Sequence, residues 1–167
     1  MKRFKKVLAL VLAGVLALAM LTACDGTTDP DSIMPEDGTP EVVMSVNHMA
    51  ADKGLGQVYY SAKYSEITKE LLQNWLENRD KSITYAEEYQ KIVAKLGGNA
   101  KIVVGLTDKN VIPNLTTDGN PVAKGSAKYD VLFKDTSAYD LADKIGVAYV
   151  TTSNGTVYQL VCLFDVN

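Results

Sequence analysis

Few residues in this chain have the type and spacing to do chemistry. The 167 residues hold one histidine, His48, and two cysteines, Cys24 and Cys162. A zinc site takes three or four His, Cys, Asp or Glu ligands. One histidine and a cysteine inside the apolar run "YQLVCLF" do not supply them, so neither a metal nor another cofactor is expected. A Ser-His-acid arrangement would need His48 as its base, and nothing beside it marks an activated serine. The acid pairs Glu66–Glu70 and Glu87–Glu88 have the spacing of solvated helix faces. "GLG" at 54–56 lacks the preceding strand and following helix of a phosphate loop. What remains for acid–base work is the carboxylates of the Asp118 to Asp143 region, with Asp135 and Asp143 the positions whose change to Asn would test it. Cys162 reads as a small buried hydrophobe.

Cys24 belongs to a different pattern. Lys2-Arg3-Phe4-Lys5-Lys6 is cationic, Val7 to Leu21 is apolar, and the small residues Thr22 and Ala23 precede the cysteine. This is the grammar of a secretory signal, and its apolar stretch falls short of the roughly 20 residues that a bilayer span needs. "LTAC" at 21–24 resembles the lipobox of bacterial lipoproteins. The resemblance implies cleavage before Cys24, diacylglycerol on its thiol, and an extracytoplasmic protein anchored to the cell membrane. The expected organisation is a signal peptide over 1–23, a lipidated cysteine and flexible tether over 24–40, and one domain over 41–167. The tether expectation rests on "DGTTDPDSIMPEDGTP", which is too poor in apolar residues to offset chain entropy.

Cleavage there would take four of the 17 basic residues and none of the 20 acidic ones, leaving 13 against 20 and a net charge of −7. Nucleic-acid binding needs clustered Lys and Arg, so no nucleic-acid partner is expected. With Cys24 acylated, Cys162 has no intramolecular disulfide partner.

The elements that would position any site follow from periodicity. "PEVVMSVNHMAADKG" places Val42, Val43, Val46, Met49 and Ala50 at helical spacing, with Pro40 in the first turn and Gly54 as the stop. "SAKYSEITKELLQNWLENRD" is the strongest helix, with Ser61 at its N-cap and a stripe of Tyr64, Ile67, Thr68, Leu71, Leu72 and Trp75. "TYAEEYQKIVAKLGG" offers Thr84 and Glu87 as a capping box and ends at Gly97-Gly98. "KIVVGL" reads as a strand, "YDVLFK" as another, and "DTSAYDLADK" as a turn or short helix. Asp108 to Lys128 reads as a long irregular segment. Two β-rich runs flank Asn154-Gly155, predicting a type I′ hairpin. The second run is apolar on both faces apart from Gln159, and such a strand is covered on both faces. The expected class is α+β: a three-layer α-β-α sandwich with a mainly antiparallel sheet.

This order, with "VNHMAADKGLGQVYYSAKYSEITKELLQNW" and "KIGVAYVTTSNGTVYQLVCLF", resembles the CAP superfamily of cysteine-rich secretory, antigen 5 and pathogenesis-related proteins, also called the SCP domain. Asn47, Gly54, Leu55, Val58, Ser61 and Tyr64 fall at matching positions of the first stretch. Ile145, Gly146, Val147, Ala148 and Tyr149 match the second, and "NAKIVVG" sits where the family often has Glu-Asn-Ile-Ala. The resemblance implies a CAP-like fold. Members typically hold a divalent metal with two His and two acidic residues. Here both expected histidine positions lack His, and the expected Glu falls near Ala100 or Lys101, so no metal ligand carries over. The expected function is therefore non-catalytic: a lipid-anchored module binding an unknown envelope ligand or protein. The alternative is a cell-envelope hydrolase using Asp/Glu acid–base chemistry on cell-wall material. A surface protein without a pocket is the third reading.

Overall fold

The computed structural model describes residues 28–29, 32–105, 112–113 and 127–167. Asp37 starts the first helix, α1 (Thr39–Asp52), by accepting from the Thr39 amide at 3.1 Å and the Thr39 hydroxyl at 2.6 Å. Pro40 fits the first turn, where its missing N–H has no helical partner to lose. The helix ends in a Schellman motif: Leu55 N–H reaches the Ala50 carbonyl at 2.9 Å and Gly54 N–H the Ala51 carbonyl at 3.0 Å. Gly54 takes the left-handed conformation this requires, at φ +71°. The buried face holds Val42, Val43, Val46 and Ala50.

After β1 (Tyr59–Tyr60) comes α2 (Ala62–Asn78), whose whole expected stripe from Tyr64 to Trp75 is buried. Ser61 is at the N-cap, but its side chain makes no capping bond. The Ala62 amide donates instead to Ser32 Oγ at 2.9 Å, a cap from 30 residues upstream. Helix α3 (Ser82–Ala94) begins two residues before Thr84, with Lys81 at the cap and no side-chain capping bond. The Lys81 carbonyl already accepts from the Tyr85 amide at 2.9 Å, so Thr84 lies inside the helix and the expected capping box does not form.

β2 (Lys101–Val104) and the two-residue β3 (Ile112–Pro113) follow. "YDVLFK" is not a strand: Ala127–Phe133 form a 3-10 helix. Tyr129, Leu132 and Phe133 are its buried residues, a three-and-four spacing that only a helical turn can place on one side. The short helix α4 (Thr136–Asp140) leads into β4 (Lys144–Thr151) and β5 (Val157–Asp165).

The sheet runs β1-β4-β5-β2, with β3 also on β5. β1 pairs with β4 in parallel, and the pairings of β5 with β2, β3 and β4 are antiparallel. The β4–β5 register sets Gly146 opposite Cys162 and Tyr149 opposite Gln159. The turn joining them differs from the expected type. Gly155 has φ +84° and no non-glycine residue among those described has positive φ, so Asn154 cannot be the first residue of a type I′ turn. Gly155 N–H bonds the Thr152 carbonyl at 2.9 Å and Thr152 N–H the Thr156 carbonyl at 2.9 Å, the pattern of a three-residue hairpin loop with glycine in the left-handed position.

Each face of β5 enters its own apolar cluster. Val161 and Leu163 join α1, the 3-10 helix and Tyr139. Leu160, Cys162 and Phe164 join the stripe of α2 together with Ile92 and Leu96. The fold is thus mixed α+β with helices contributing to a cluster on either side of a mixed sheet. Part of the stretch 24–40 lies against the sheet edge. Thr28 forms a parallel bridge with Tyr60, and Asp29 N–H donates to the Tyr60 carbonyl at 2.7 Å. The Asp29 carboxylate is 3.2 Å from Lys144 Nζ.

Candidate functional site

The residues singled out for chemistry are dispersed. His48 is exposed on α1. Its neighbour Asn47 is buried and structural, its amide donating to the Val58 carbonyl at 3.0 Å and accepting from the Val58 amide at 2.9 Å. That pair of bonds fixes the connector between α1 and β1. Asp135 caps α4, accepting from Ser137 N–H at 3.0 Å and Ala138 N–H at 3.2 Å. Asp143 Oδ2 accepts from Val166 N–H at 3.1 Å, securing the chain just after β5. Cys162 is fully buried in the α2-side cluster. Cys24 and Asp118, and nearly all of the irregular segment at 108–128, lie outside the described residues. Among the described residues no group of three His, Cys, Asp or Glu could hold a metal ion.

The structure instead brings together residues that motif reading passed over. An open groove of about 590 Å³ runs between α2 and α3. Glu70, Gln73, Asn74, Glu77 and Asn78 form the α2 wall, facing Thr84, Glu88, Lys91, Ile92 and Lys95. The walls are tied at the base, where the Asn74 amide donates to the Tyr85 carbonyl at 3.1 Å. Lys95 reaches across to Glu70, and Lys91 pairs with Glu88 along α3. The hydrogen bond from Lys91 to Glu88 holds the Lys91 ammonium above its usual pKa. The lining offers donors and acceptors of both signs and one apolar residue, Ile92. It includes no nucleophile paired with a base. Such a surface can hold a polar, doubly charged ligand in solvent-exposed contacts. The signal for it was the pair of opposed charged faces on neighbouring helices, which read separately as solvated surfaces.

A second polar feature lies within the α1-side cluster. Tyr129 donates to Gln159 Oε1 at 3.0 Å, and Gln159 Nε2 donates to the Tyr149 hydroxyl at 2.8 Å. Gln159 is fully buried on β5. Burial pushes the Tyr129 phenol up to about 12, against a smaller opposing effect of its hydrogen bond to Gln159. Tyr149 is also raised, chiefly by burial, again against its bond to Gln159. Both phenols stay neutral at physiological pH, so the trio rigidifies the core and offers no base. Tyr139, its ring tilted against Phe133 with centroids 4.8 Å apart, is raised by burial, and its hydroxyl has no hydrogen-bond partner among the described residues.

No protein-family model, curated protein or solved structure matches this chain. Among the described residues no helix is long and apolar enough to cross a membrane.

Proposed function

We propose that this chain is a lipid-anchored protein of the bacterial cell envelope, held through Cys24, and that its folded part is a three-layer, CAP-like domain serving as a non-catalytic binding module. The fate of the carboxylates carries the non-catalytic reading. Asp135 and Asp143, two carboxylates of the region that acid–base chemistry would draw on, are engaged by backbone amides at a helix cap and at the end of β5. The CAP-like reading draws support from the Asn47 clamp on Val58 and from Gly146, which lies against the backbone of α2. The ligand site in this reading is the α2–α3 groove. Its volume falls within the roughly 300–1,000 Å³ of small-molecule sites, and its opposed charges favour a zwitterionic ligand such as a short peptide or a peptide-bearing cell-wall fragment.

Two measurements on the protein, with residues 1–23 removed and Cys24→Ser, test the reading. Calorimetric titration with soluble cell-wall muropeptides is expected to show binding that Lys95→Ala and Glu70→Ala each weaken. Product analysis of the same mixtures is expected to show no turnover. Hydrolysis that disappears in Asp135→Asn or Asp143→Asn would replace the binding module with the hydrolase.

A further inference from the structure

The described part of the chain begins within four Cα-to-Cα steps of Cys24, and it begins already fixed to the fold. Thr28 bridges Tyr60, Asp29 N–H donates to the Tyr60 carbonyl at 2.7 Å, and the Asp29 carboxylate meets Lys144 at 3.2 Å. Four steps cover roughly 14 Å even at full extension. A lipid on Cys24 therefore cannot hold the domain far away, and it cannot leave it free to turn over.

The strand directions say which end is held down. Thr28 runs parallel to β1, and β1 runs parallel to β4, pairing Tyr59 with Lys144. The N-terminal side of Thr28 therefore points to the end of the sheet where β1 and β4 begin and β5 finishes. Two of the large exposed apolar residues lie at that end. Tyr59 is 39% exposed, with Lys144 Nζ 5.6 Å from its ring centroid, and Leu141 is 54% exposed. Tyr59 N–H donates at 2.9 Å to the carbonyl of Asp143, two residues after Leu141, which puts both residues at this end of the sheet. A tyrosine flanked by a lysine and an aliphatic residue suits the boundary between headgroups and acyl chains. The other end of the sheet carries the hairpin loop at Thr152–Thr156. Trp75 packs on Tyr158 close to it, with ring centroids 6.1 Å apart. Eight residues of β4 separate the two ends by roughly 25 Å at the usual strand rise.

From this we infer that the domain sits directly on the phospholipid bilayer that anchors it. The β1–β4 starting end, with Tyr59 and Leu141, meets the headgroup region, and the Asn154–Gly155 loop and the far ends of α2 and α3 face away. The groove then opens to the side and is reachable from the envelope space. The inference rests on lipidation of Cys24.

The test uses the full, lipidated protein in phosphatidylglycerol/phosphatidylcholine vesicles. A fluorophore is placed either at Asp140→Cys or at Asn154→Cys, and the vesicles carry a headgroup spin-label quencher. The Cys24 thiol is held in its thioether to diacylglycerol and Cys162 is buried, so the introduced thiol takes the label. Quenching is expected to be several-fold stronger at position 140 than at 154. Inserting ten Gly/Ser residues between Gly26 and Thr27 should leave vesicle binding intact and preserve that contrast, because Thr28, Asp29 and Ser32 keep their bonds to Tyr60, Lys144 and Ala62, while lowering quenching at 140 at least twofold. Tyr59→Ser together with Leu141→Ser should also lower it at least twofold. Equal quenching at both positions in vesicle-bound protein would overturn the inference and leave the lipid anchor standing. Protein that does not sediment with vesicles, and whose mass shows no acylation, would overturn the anchor and the inference together.

Discussion

Gly146→Ala probes the contact that joins α2 to the sheet. A Cβ built on Gly146 would lie 2.4 Å from Thr68 Oγ1, 2.5 Å from the Tyr64 carbonyl oxygen and 2.7 Å from the Tyr64 carbonyl carbon. Non-bonded carbon contacts settle at about 3.5–4.0 Å, so the two elements must separate by about 1 Å. Thr68 cannot simply swing aside, because its hydroxyl donates to the Tyr64 carbonyl at 2.7 Å. Two of the three clashes are with helix backbone, which moves only with the helix. Moving α2 also strains the Val147 N–H bond to Ser65 Oγ, 3.2 Å long, and loosens the Tyr64–Phe164 stack, whose centroids are 4.7 Å apart. Overpacking of this kind costs about 1–3 kcal/mol, and the backbone partner places Gly146→Ala at the upper end, near 3 kcal/mol. Urea unfolding of the Cys24→Ser protein lacking residues 1–23 reads the change directly. Thr68→Ala added to Gly146→Ala should recover only part of the loss, since the Tyr64 carbonyl remains. A Gly146→Ala protein within about 0.5 kcal/mol of the parent would refute the close approach of α2 to β4.

Gln159→Leu removes the partner of both tyrosines and should cost about 1–3 kcal/mol through the buried Tyr129 hydroxyl. Adding Tyr129→Phe should restore much of it, and a double mutant no better than the single would contradict the network. Tyr139→Phe deletes a buried hydroxyl with no partner among the described residues and should stabilise by about 1 kcal/mol; a clear destabilisation in the same assay would show a hidden partner. Asp135→Ala should cost about 0.5–2 kcal/mol by uncapping α4, while Asp135→Asn stays near neutral, because asparagine caps as well as aspartate. In alkali, a folded-state phenol pKa raised above 10 favours the native state below pH 10 and loses that advantage as pH climbs through the folded value. Absorbance at 295 nm should therefore show Tyr129, Tyr139 and Tyr149 ionising only above pH 10, with stability falling there. Ionisation of Tyr129, Tyr139 and Tyr149 at or below pH 10 in folded protein would contradict their burial.

Much of the framework was legible in the residues themselves. The stripes of α1 and α2 and the two apolar faces of β5 follow from side-chain period, and burial obeys that period wherever one element packs along its length. Gln159 was already visible as the one polar residue on its face of β5. The misses share a physical origin in contacts distant along the chain or in competition between local signals. Ser61 is at the N-cap as its residue type suggests, but the Ala62 amide is met by Ser32, which no local pattern reveals. Asn154-Gly155 suggests a type I′ turn, but the Asn154 side-chain oxygen accepts from the Thr156 amide at 3.0 Å and the Thr152 hydroxyl at 2.6 Å, leaving Gly155 alone in the left-handed conformation. "YDVLFK" is rich in β-formers, yet tertiary burial of Tyr129, Leu132 and Phe133 overrides that preference. The groove was the least legible feature, since it exists only where two solvated faces converge.

The central claim, a non-catalytic binding module anchored at the envelope through Cys24, stands or falls first on the anchor. Intact-mass analysis of the protein extracted from membranes is the most direct test. The account predicts a chain that starts at Cys24 and carries the added mass of diacylglycerol. A chain with an unmodified Cys24, or one that still begins at Met1, would contradict it.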